Sequence, residues 1–522
     1  MKSRLYVALL LLPLFLVSFA GSCRKNTNPP PRFSQPLVFK INGSSAAVRQ
    51  YSGVIQQQLA AVGIPVQIDA VERNTLLDQM RAGQFQLGTG NWIGGNQDPI
   101  FLKDLFGTGA PFNRGKFSNP EIDKFLNEAV LTADRTKAIG LYTQAQQMIT
   151  DELPMLPLWY SENMIVARKD VQNIKPDSSG DFRYLAQVTT GPRAEPFTVA
   201  FEAEPETLDG LFGTDGQSER LRQLIHTSLV KKNDKFDYVG DLASDIQTTP
   251  DNLTTTFTIR DGVTFHDGKP VTAADAKYTL DTLINAEPKA RSRKAGPFFE
   301  KVDGKDVSYV ESITATNPKT LVIKLKKPWL QLLSNLVSVP IIPQGSAAQQ
   351  KDKPIGSGAF KFVSYDKTNK IIDLEANDNF WGGAPSIKRL RAKVILDAGT
   401  LQAELKAGKV DLASNAISLS PDVLNTLKQD PNLQVVQASG ANIVYLLFNA
   451  NSAPLNDKRV RQAIAYAIDR ESIVKSLLLN QARVAHSILP ESSWAYTPGT
   501  KYSYDPEKAK KILDDAGFMA KP

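Results

Sequence analysis

The sequence is poor in the residues that build disulfides and metal sites, with one cysteine and three histidines among 522 residues. Cys23, the single cysteine, cannot form a disulfide within the chain. His226, His266 and His486 lack metal-ligand spacing, and no CxxC, HExxH or Gly-rich phosphate loop is present. These absences argue against a disulfide-stapled domain, a zinc enzyme and a nucleotide-binding enzyme. No metal and no cofactor are expected.

Massed charge and late apolar runs are also missing. The net charge of +7 arises from 61 basic residues interleaved with 54 acidic ones, so the sequence does not predict a nucleic-acid-binding face. Beyond the N-terminal segment, no stretch approaches the roughly 18 apolar residues of a membrane span. The remaining chain is long enough for two or three globular sub-domains.

The N-terminal residues have the layout of an export signal. Lys2 and Arg4 precede an apolar run over 5–19, and Ala20-Gly21-Ser22 leads into Cys23. This arrangement resembles the lipobox of bacterial lipoproteins, which predicts a signal peptide over 1–22, lipidation of Cys23 and a Pro-rich tether over 23–32. The alternative is a plain signal peptide with an incidental cysteine.

Apolar periodicity predicts an α/β protein. A strand at 36–41 is followed by a helix at 49–62, and the middle of the chain is richer in strands, such as 254–259 and 320–324. The segments 80–87 and 405–412 resemble each other, and both have a helix–glycine–strand pattern. They indicate two similarly built lobes, although such a common turn can also recur by chance.

Five motifs closely resemble those of the extracellular solute-binding protein family 5, the oligopeptide, dipeptide and nickel-type receptors of ABC importers. The segments are 204–209, 257–275, 354–360, 379–381 and 448–470. The resemblance implies a two-lobed, hinged, periplasmic-binding-protein-like α/β fold of type II, cluster C. It also implies a monomeric, non-enzymatic receptor outside the cytoplasm that delivers a peptide or other small organic solute to a membrane permease and its ATPase.

The order of the parts differs from that of the family and resembles a circular permutation. The stretch 36–185 matches the usual C-terminal part, yet it precedes the stretch 195–518, which matches the usual N-terminal part. Mapped onto the family fold, 33–160 and 441–522 form lobe II and 161–440 forms lobe I, with crossing strands near 156–160 and 444–448. A misassembled gene is the alternative explanation.

Matching to the family also gives the candidate ligand-binding residues. One group follows a lobe II strand, and the others come from lobe I and the hinge. They are Asn91, Trp92, Gly94, Gly95, Asn96, Glu204, Leu208, Ser357, Gly358, Asn442, Tyr445 and Phe448. A flat indole buries solute surface at low entropic cost, and glycines let a ligand approach the backbone. The alternative for Trp92, Tyr445 and Phe448 is that of packed core residues.

Two departures from the peptide receptors of the family argue against the usual mode of peptide capture. Peptide-binding relatives commonly have an aspartate, which pairs with the peptide ammonium group, where this chain has Gly95. Thr227 stands where many relatives have glutamate. The scarcity of histidine argues against a nickel site but does not exclude a chelated metal.

Two other classes of function remain as alternatives. A secreted hydrolase would use the Ser357 region, although no phosphate-loop continuation and no histidine lie near this residue in sequence. The other alternative is a surface-attached signalling or chaperone-like protein with the same fold.

Overall fold

One mixed sheet of eleven strands runs through the molecule and joins its two lobes. The computed structural model describes residues 28–43, 45–92, 98–110, 112–132, 134–176, 178–192, 194–233, 235–302, 304–414 and 419–520. The predicted signal peptide, Cys23, Gly94, Gly95 and Asn96 lie outside the described residues. No helix in the described ranges is both long and apolar enough to cross a membrane.

Helices and strands alternate in the first part of the chain, and its middle is richer in strands, as the periodicity predicts. The helices are α1 Ala46–Ala60, α2 Arg73–Arg81, α3 Phe101–Phe106, α4 Pro120–Leu131, α5 Arg135–Glu152, α6 Gly216–Ile225, α7 Ala273–Ile284, α8 Leu332–Leu336, α9 Ala398–Lys406, α10 Pro421–Leu427, α11 Lys458–Ala467, α12 Arg470–Ser472 and α13 Pro506–Asp515. The strands are β1 Leu37–Asn42, β2 Val66–Val71, β3 Leu87–Trp92, β4 Met155–Arg168, β5 Phe197–Phe201, β6 Val230–Lys232, β7 Tyr238–Gly240, β8 Ala243–Thr248, β9 Thr254–Ile259, β10 Phe299–Val302, β11 Lys305–Ser308, β12 Val310–Asn317, β13 Thr320–Leu325, β14 Phe360–Asp366, β15 Ile371–Ala376, β16 Arg389–Val394, β17 Leu412–Ser414, β18 Leu433–Phe448 and β19 Ala482–Val484.

The first lobe along the chain begins with a parallel β–α–β unit. Strand β1 pairs in parallel with both β2 and β3, and its alternate residues are buried. The Ser45 side chain caps helix α1 by accepting a hydrogen bond from the Val48 amide. Gly63, with φ of +82°, lets the chain reverse into β2. The predicted helix at 49–62 therefore forms, shifted by a few residues toward its N-terminal cap.

Two long antiparallel strands, β4 and β18, form the hinge. Strand β4 pairs with β17 at one end and β18 pairs with β3 at the other, so the two-stranded ribbon of β4 and β18 reaches into both lobes. Their register is interrupted between Ala438 and Asn442. In this interruption Gly440 approaches the Ser161 carbonyl so closely that a Cβ on residue 440 would lie 1.8 Å from the oxygen. The interruption separates the two ends of the ribbon.

The buried apolar residues separate into two sets on either side of this interruption. Among the described residues, three clusters lie within 164–436, and two combine residues of 33–160 with residues of 443–518. Each lobe thus buries its own apolar surface, which lets the lobes move relative to each other without exposing a shared core.

The two similar segments occupy matching places beside the hinge. In one, α2 leads through Gly83 into β3, which pairs with β18. In the other, α9 leads through Gly408 into β17, which pairs with β4. Both glycines have a left-handed backbone, with φ of +74° and +67°. The repeated sequence pattern corresponds to a repeated structural unit, one on each side of the ribbon.

The first and last described segments lie side by side. The rings of Phe33 and Phe518 meet edge to face at 5.4 Å, and an Arg32 guanidinium nitrogen is 2.6 Å from a carboxylate oxygen of Asp514. Helices α11 and α13 contribute to the same apolar cluster as α1 and β1. Residues near both ends of the described chain therefore share one apolar cluster.

Candidate functional site

A cavity of about 450 Å³ lies where the parallel strands of one lobe end against the hinge. Asn42 ends β1, Asn91 lies near the end of β3, and both line the cavity. In open α/β sheets, ligands bind in the crevice outside the carboxyl ends of the strands. The volume falls within the range of about 300–1,000 Å³ for small-molecule sites.

The apolar part of the wall comes from both lobes. The lining includes residues of α1, α2, the hinge strands and the segment around α10, together with Leu478. They are Val48, Leu76, Leu77, Met80, Trp159, Met164, Leu419, Pro421, Leu424, Val444 and Leu478. A cavity with mostly apolar walls binds its occupant through burial and fixes its orientation with a few polar groups.

A row of hydrogen-bonded side chains connects α1 with the two central strands. The Thr89 hydroxyl donates to the Tyr445 carbonyl at 2.9 Å and lies 3.1 Å from the Tyr51 hydroxyl. Burial raises the pKa of Tyr51 to about 12, so its hydroxyl stays protonated at neutral pH. These bonds fix the polar floor of the cavity.

Two aromatic rings and one guanidinium group lie beside this polar floor. The rings of Trp92 and Tyr445 stack at 6.0 Å with an interplanar angle of 21°. The guanidinium carbon of Arg114 is 5.0 Å from the centroid of the Trp92 ring. Burial raises the pKa of Tyr445 to about 12, although the positive charge of Arg114 opposes the rise. Arg114 and Tyr445 both line the cavity.

Two buried polar atoms in this region have no partner among the described residues. They are Oδ1 of Asn442, which lines the cavity, and Nε1 of Trp92. A buried polar atom without a hydrogen bond is costly, by about 1–3 kcal/mol. A hydrogen-bond donor on a ligand would relieve this cost at Asn442.

Glu162, the second charged residue of the lining, is already paired. Its carboxylate is 2.5 Å from Nε of Arg483, and the Glu162 side chain is 4% exposed. Arg483 also bonds to the Gly440 carbonyl at 3.1 Å and to Glu491 at 2.9 Å. This cluster ties β19 to both hinge strands at the register interruption.

The predicted lobe II and hinge residues are partly gathered at this cavity. Asn91, Asn442 and Tyr445 line it, and Trp92 stacks against Tyr445. Phe448, in contrast, is fully buried in the apolar core of its lobe. It does not contribute to the lining.

The candidates from the other lobe lie apart from the cavity lining. Glu204 bonds to the Tyr365 hydroxyl and to Lys370, and the bond from Tyr365 lowers its pKa. Leu208 belongs to a buried apolar cluster. A Cβ on Gly358 would lie 2.5 Å from the Leu224 carbonyl oxygen, so this glycine serves close packing.

Ser357 is buried and is not placed like a nucleophile. Its hydroxyl lies 2.6 Å from the Thr227 hydroxyl. The ring Nε2 of His226 contacts Gln350, and the ring Nε2 of His266 contacts the Gly358 carbonyl. Neither histidine hydrogen-bonds to Ser357 in the described structure, so the hydrolase alternative lacks a base at this hydroxyl.

Burial lowers the pKa of all three histidines. The values are about 3 for His226 and about 4 for both His266 and His486, so each is neutral at pH 7. Within the described ranges, no group of three or more histidine, cysteine, aspartate or glutamate side chains is arranged to hold a metal ion.

The sequence did not single out Arg114, Glu162 or the apolar wall of α2. Arg114 follows α3 in a loop without periodicity, so no local signal marks it. Glu162 did have a signal, because Ser161-Glu162-Asn163 is a polar break inside a long apolar strand. Such a break is typical of a strand that leaves one core and enters another.

A family model described as bacterial extracellular solute-binding proteins, family 5, middle region, matches residues 237–522. This match covers more than half of the chain. The chain belongs to this family. The resemblance of its five motifs to family 5 is thereby confirmed.

Individual relatives agree with this assignment. The chain is 31% identical to the oligopeptide-binding protein AppA of Bacillus subtilis over 60% of this chain and 58% of that one. It is 30% identical to heme-binding protein A of Haemophilus influenzae over 57% of each chain. The chain thus spans little more than half the length of these curated relatives.

Solved structures of the family share the fold. The structure of NikZ from Campylobacter jejuni, in complex with Ni(L-His), aligns with a TM-score of 0.50 and 28% identity. The alignment covers 62% of this chain and 64% of NikZ. Together with the family match, it confirms the prediction of a two-lobed, hinged α/β fold.

The family-type motif at 448–470 has a structural role here. Arg461 donates hydrogen bonds to the carbonyls of Leu153 and Leu455. Arg470 donates to three carbonyls, including that of Pro157 in the hinge strand β4. Burial lowers the pKa of Arg470 to about 10, although the charge of Glu471 opposes the shift. These two arginines hold backbone segments together inside one lobe.

Proposed function

We propose that this protein is the solute-binding component of an ABC import system. It captures an oligopeptide or a similar-sized organic solute between its lobes and delivers it to a membrane permease with its ATPase. The observation that carries the proposal is the cavity at the hinge, because its lining combines the ends of β1 and β3 with residues around α10. A ligand that touches both sides of a hinge favours closure of the lobes.

The lobes are proposed to be 33–160 with 441–522, and 161–440. The apolar clusters support these limits, since none of those described combines buried residues from both sides. The register interruption between Ala438 and Asn442 lies at the proposed boundary. Limited proteolysis in the open state would test the limits, with cleavage expected between the lobes before cleavage within them.

The chain order is proposed to be a circular permutation of the family order. The contact of Phe33 with Phe518 supports it, because a permutation creates new ends at a loop where neighbouring segments meet. The family match begins at residue 237, and the proposed lobe II is divided between both ends of the chain. Both points agree with a permuted order. Amplification of the gene as one uninterrupted reading frame, with peptide mapping of the purified protein, tests this order.

Residues 1–22 are proposed to be a signal peptide and 23–32 a tether lipidated at Cys23. This places a monomeric receptor on the outer side of a membrane. The support comes from the sequence alone, since these residues precede the described structure. Detergent phase partition should place the wild type in the detergent phase and Cys23→Ser in the aqueous phase. Equal partition of both proteins would refute lipidation.

Mass spectrometry of co-purifying compounds is the direct test of binding. The protein is purified without denaturation and then unfolded, and the released compounds are identified. A mixture of peptides would support a peptide receptor, whereas a single non-peptide compound would replace the peptide by another solute. Turnover of the bound compound by the purified protein would contradict a receptor role.

A further inference from the structure

Among the described residues, Arg114 is a cation of the cleft that has no carboxylate partner. It is half-buried, lines the cavity and makes no ion pair with any residue in the described ranges. Asp98 and Asp104, which lie in the neighbouring chain segment, do not pair with it: Asp98 bonds to the Tyr238 hydroxyl, and burial raises the pKa of Asp104 to about 6.

The other charged residue of the lining contrasts with Arg114. The Glu162 carboxylate is neutralised by Arg483, whose Nε lies 2.5 Å from it, so a solute does not need a positive charge at this place. The described lining therefore has one positive charge that is left uncompensated, at Arg114. An uncompensated charge in an apolar cavity favours a ligand of opposite charge.

The guanidinium of Arg114 is held in position. Its contact with the Trp92 ring restricts the side chain, and the Tyr445 ring that stacks on Trp92 lies against Gly90. A positioned guanidinium offers parallel N–H donors that match the two oxygens of a carboxylate. A restricted side chain also loses less entropy on binding.

Resting on the proposed function, we infer that the solute carries a carboxylate and that Arg114 binds it. The apolar body of the solute then packs against the wall formed by Met80 and Leu424. For a peptide this group is the C-terminal carboxylate. Glu162 is already paired, so the described cleft requires no free ammonium group on the solute. An N-blocked peptide is then accepted and a C-amidated one is rejected.

The test compares full-length wild type with Arg114→Gln and with a control, Lys124→Gln. Lys124 is exposed on α4 and does not line the cavity, so the control makes the same change of net charge elsewhere. Bound compounds are released, and their carboxylates are detected by amide-forming derivatisation before mass spectrometry. In parallel, binding of an apolar tripeptide, its N-acetyl form and its C-terminal amide is measured by calorimetry.

We expect wild type and Lys124→Gln to retain a carboxylate-bearing compound. Arg114→Gln should bind it about 30-fold or more weakly, with unchanged thermal stability. Arg114→Lys should recover part of the affinity, because it restores the charge without the planar fork. Any tripeptide binding should survive N-acetylation and disappear on amidation.

Other outcomes overturn the inference in distinguishable ways. Retention by wild type of a compound without an acidic group, or equal affinity of wild type and Arg114→Gln, removes the role of Arg114 and leaves the solute-binding function intact. A wild type that retains no compound and binds none of the tripeptides counts against both this inference and the proposed function.

Discussion

The two lobes give the cleft different chemistry, although similar helix–glycine–strand units flank the hinge. In one lobe, β3 brings Thr89 and Asn91 to the cavity. In the other lobe, the segment that follows β17 brings Leu419 and Leu424. Outside the hinge strands, the described lining from this second lobe is apolar. A similar backbone therefore does not determine the chemistry of the cavity wall. One lobe supplies polar side chains that can hydrogen-bond a ligand, and the other supplies apolar side chains that bury its surface.

The largest effect is expected in the two hinge strands, β4 and β18, because both helix–glycine–strand units pair with them. Gly440→Ala places a Cβ 1.8 Å from the Ser161 carbonyl oxygen, which forces the hinge strands apart. We expect a loss of unfolding free energy on the order of 3 kcal/mol, measured by denaturant titration. Gly53→Ala, in α1 with no atom within 4 Å of its new Cβ, is the control and should stabilise by about 0.5–1 kcal/mol. Equal changes of unfolding free energy in Gly440→Ala and Gly53→Ala would contradict the close contact between residue 440 and the Ser161 carbonyl.

The equivalence of the two units is tested directly by changing their glycines. Gly83→Ala and Gly408→Ala each put a side chain on a left-handed backbone, which costs about 1–2 kcal/mol. We expect similar losses of stability for both, by thermal unfolding. Gly83→Asn and Gly408→Asn should lose less, since asparagine adopts this conformation more readily. A loss at one site only would show that the units are not equivalent.

A hydrogen bond between the two walls should affect binding more than stability. Nε2 of Gln481 donates to the Pro421 carbonyl at 3.1 Å, and both residues line the cavity. Gln481→Ala should weaken closure by about 1 kcal/mol, or roughly fivefold in the affinity for the co-purified solute. Gln147→Ala removes a comparable bond to Thr500 within one lobe and should leave affinity unchanged. Equal losses in the two variants would contradict a role in closure.

The smallest effect is expected at the outer contact between the lobes. Arg135 and Asp237 pair at 2.5 Å, with side chains 54% and 28% exposed. Asp237→Asn should weaken solute binding by about 0.2–1 kcal/mol and make the remaining affinity less sensitive to salt. Hydrogen bonding to Arg135 lowers the pKa of Asp237 below 3.8. The contact should therefore be independent of pH between 7 and 5 and be lost only as the pH falls through this lowered pKa.

Much of the fold could be predicted because its signals are local. Asn119 before Pro120 is a pattern typical of a helix start, and in the structure Asn119 caps α4. The paired segments at 80–87 and 405–412 predicted two similar units, and both form beside the hinge. Apolar periodicity and capping act within a few residues, so a sequence displays them directly.

The candidate site could be predicted only in part. Asn91, Asn442 and Tyr445 line the cavity, whereas Ser357 and Phe448 are packed inside their lobes. Family position identifies the strand on which a residue lies. It does not determine whether that side chain faces the cleft or the core, because successive residues of a strand point to opposite faces.

The sequence by itself determined the family and the position of the helix–glycine–strand units. Only the tertiary structure brought Arg114 beside Trp92 and paired Glu162 with Arg483, more than 300 residues away in the chain. The physical reason is that the charge of a cleft depends on which ionic groups find partners after folding. Contacts across such distances leave no periodic pattern in the sequence.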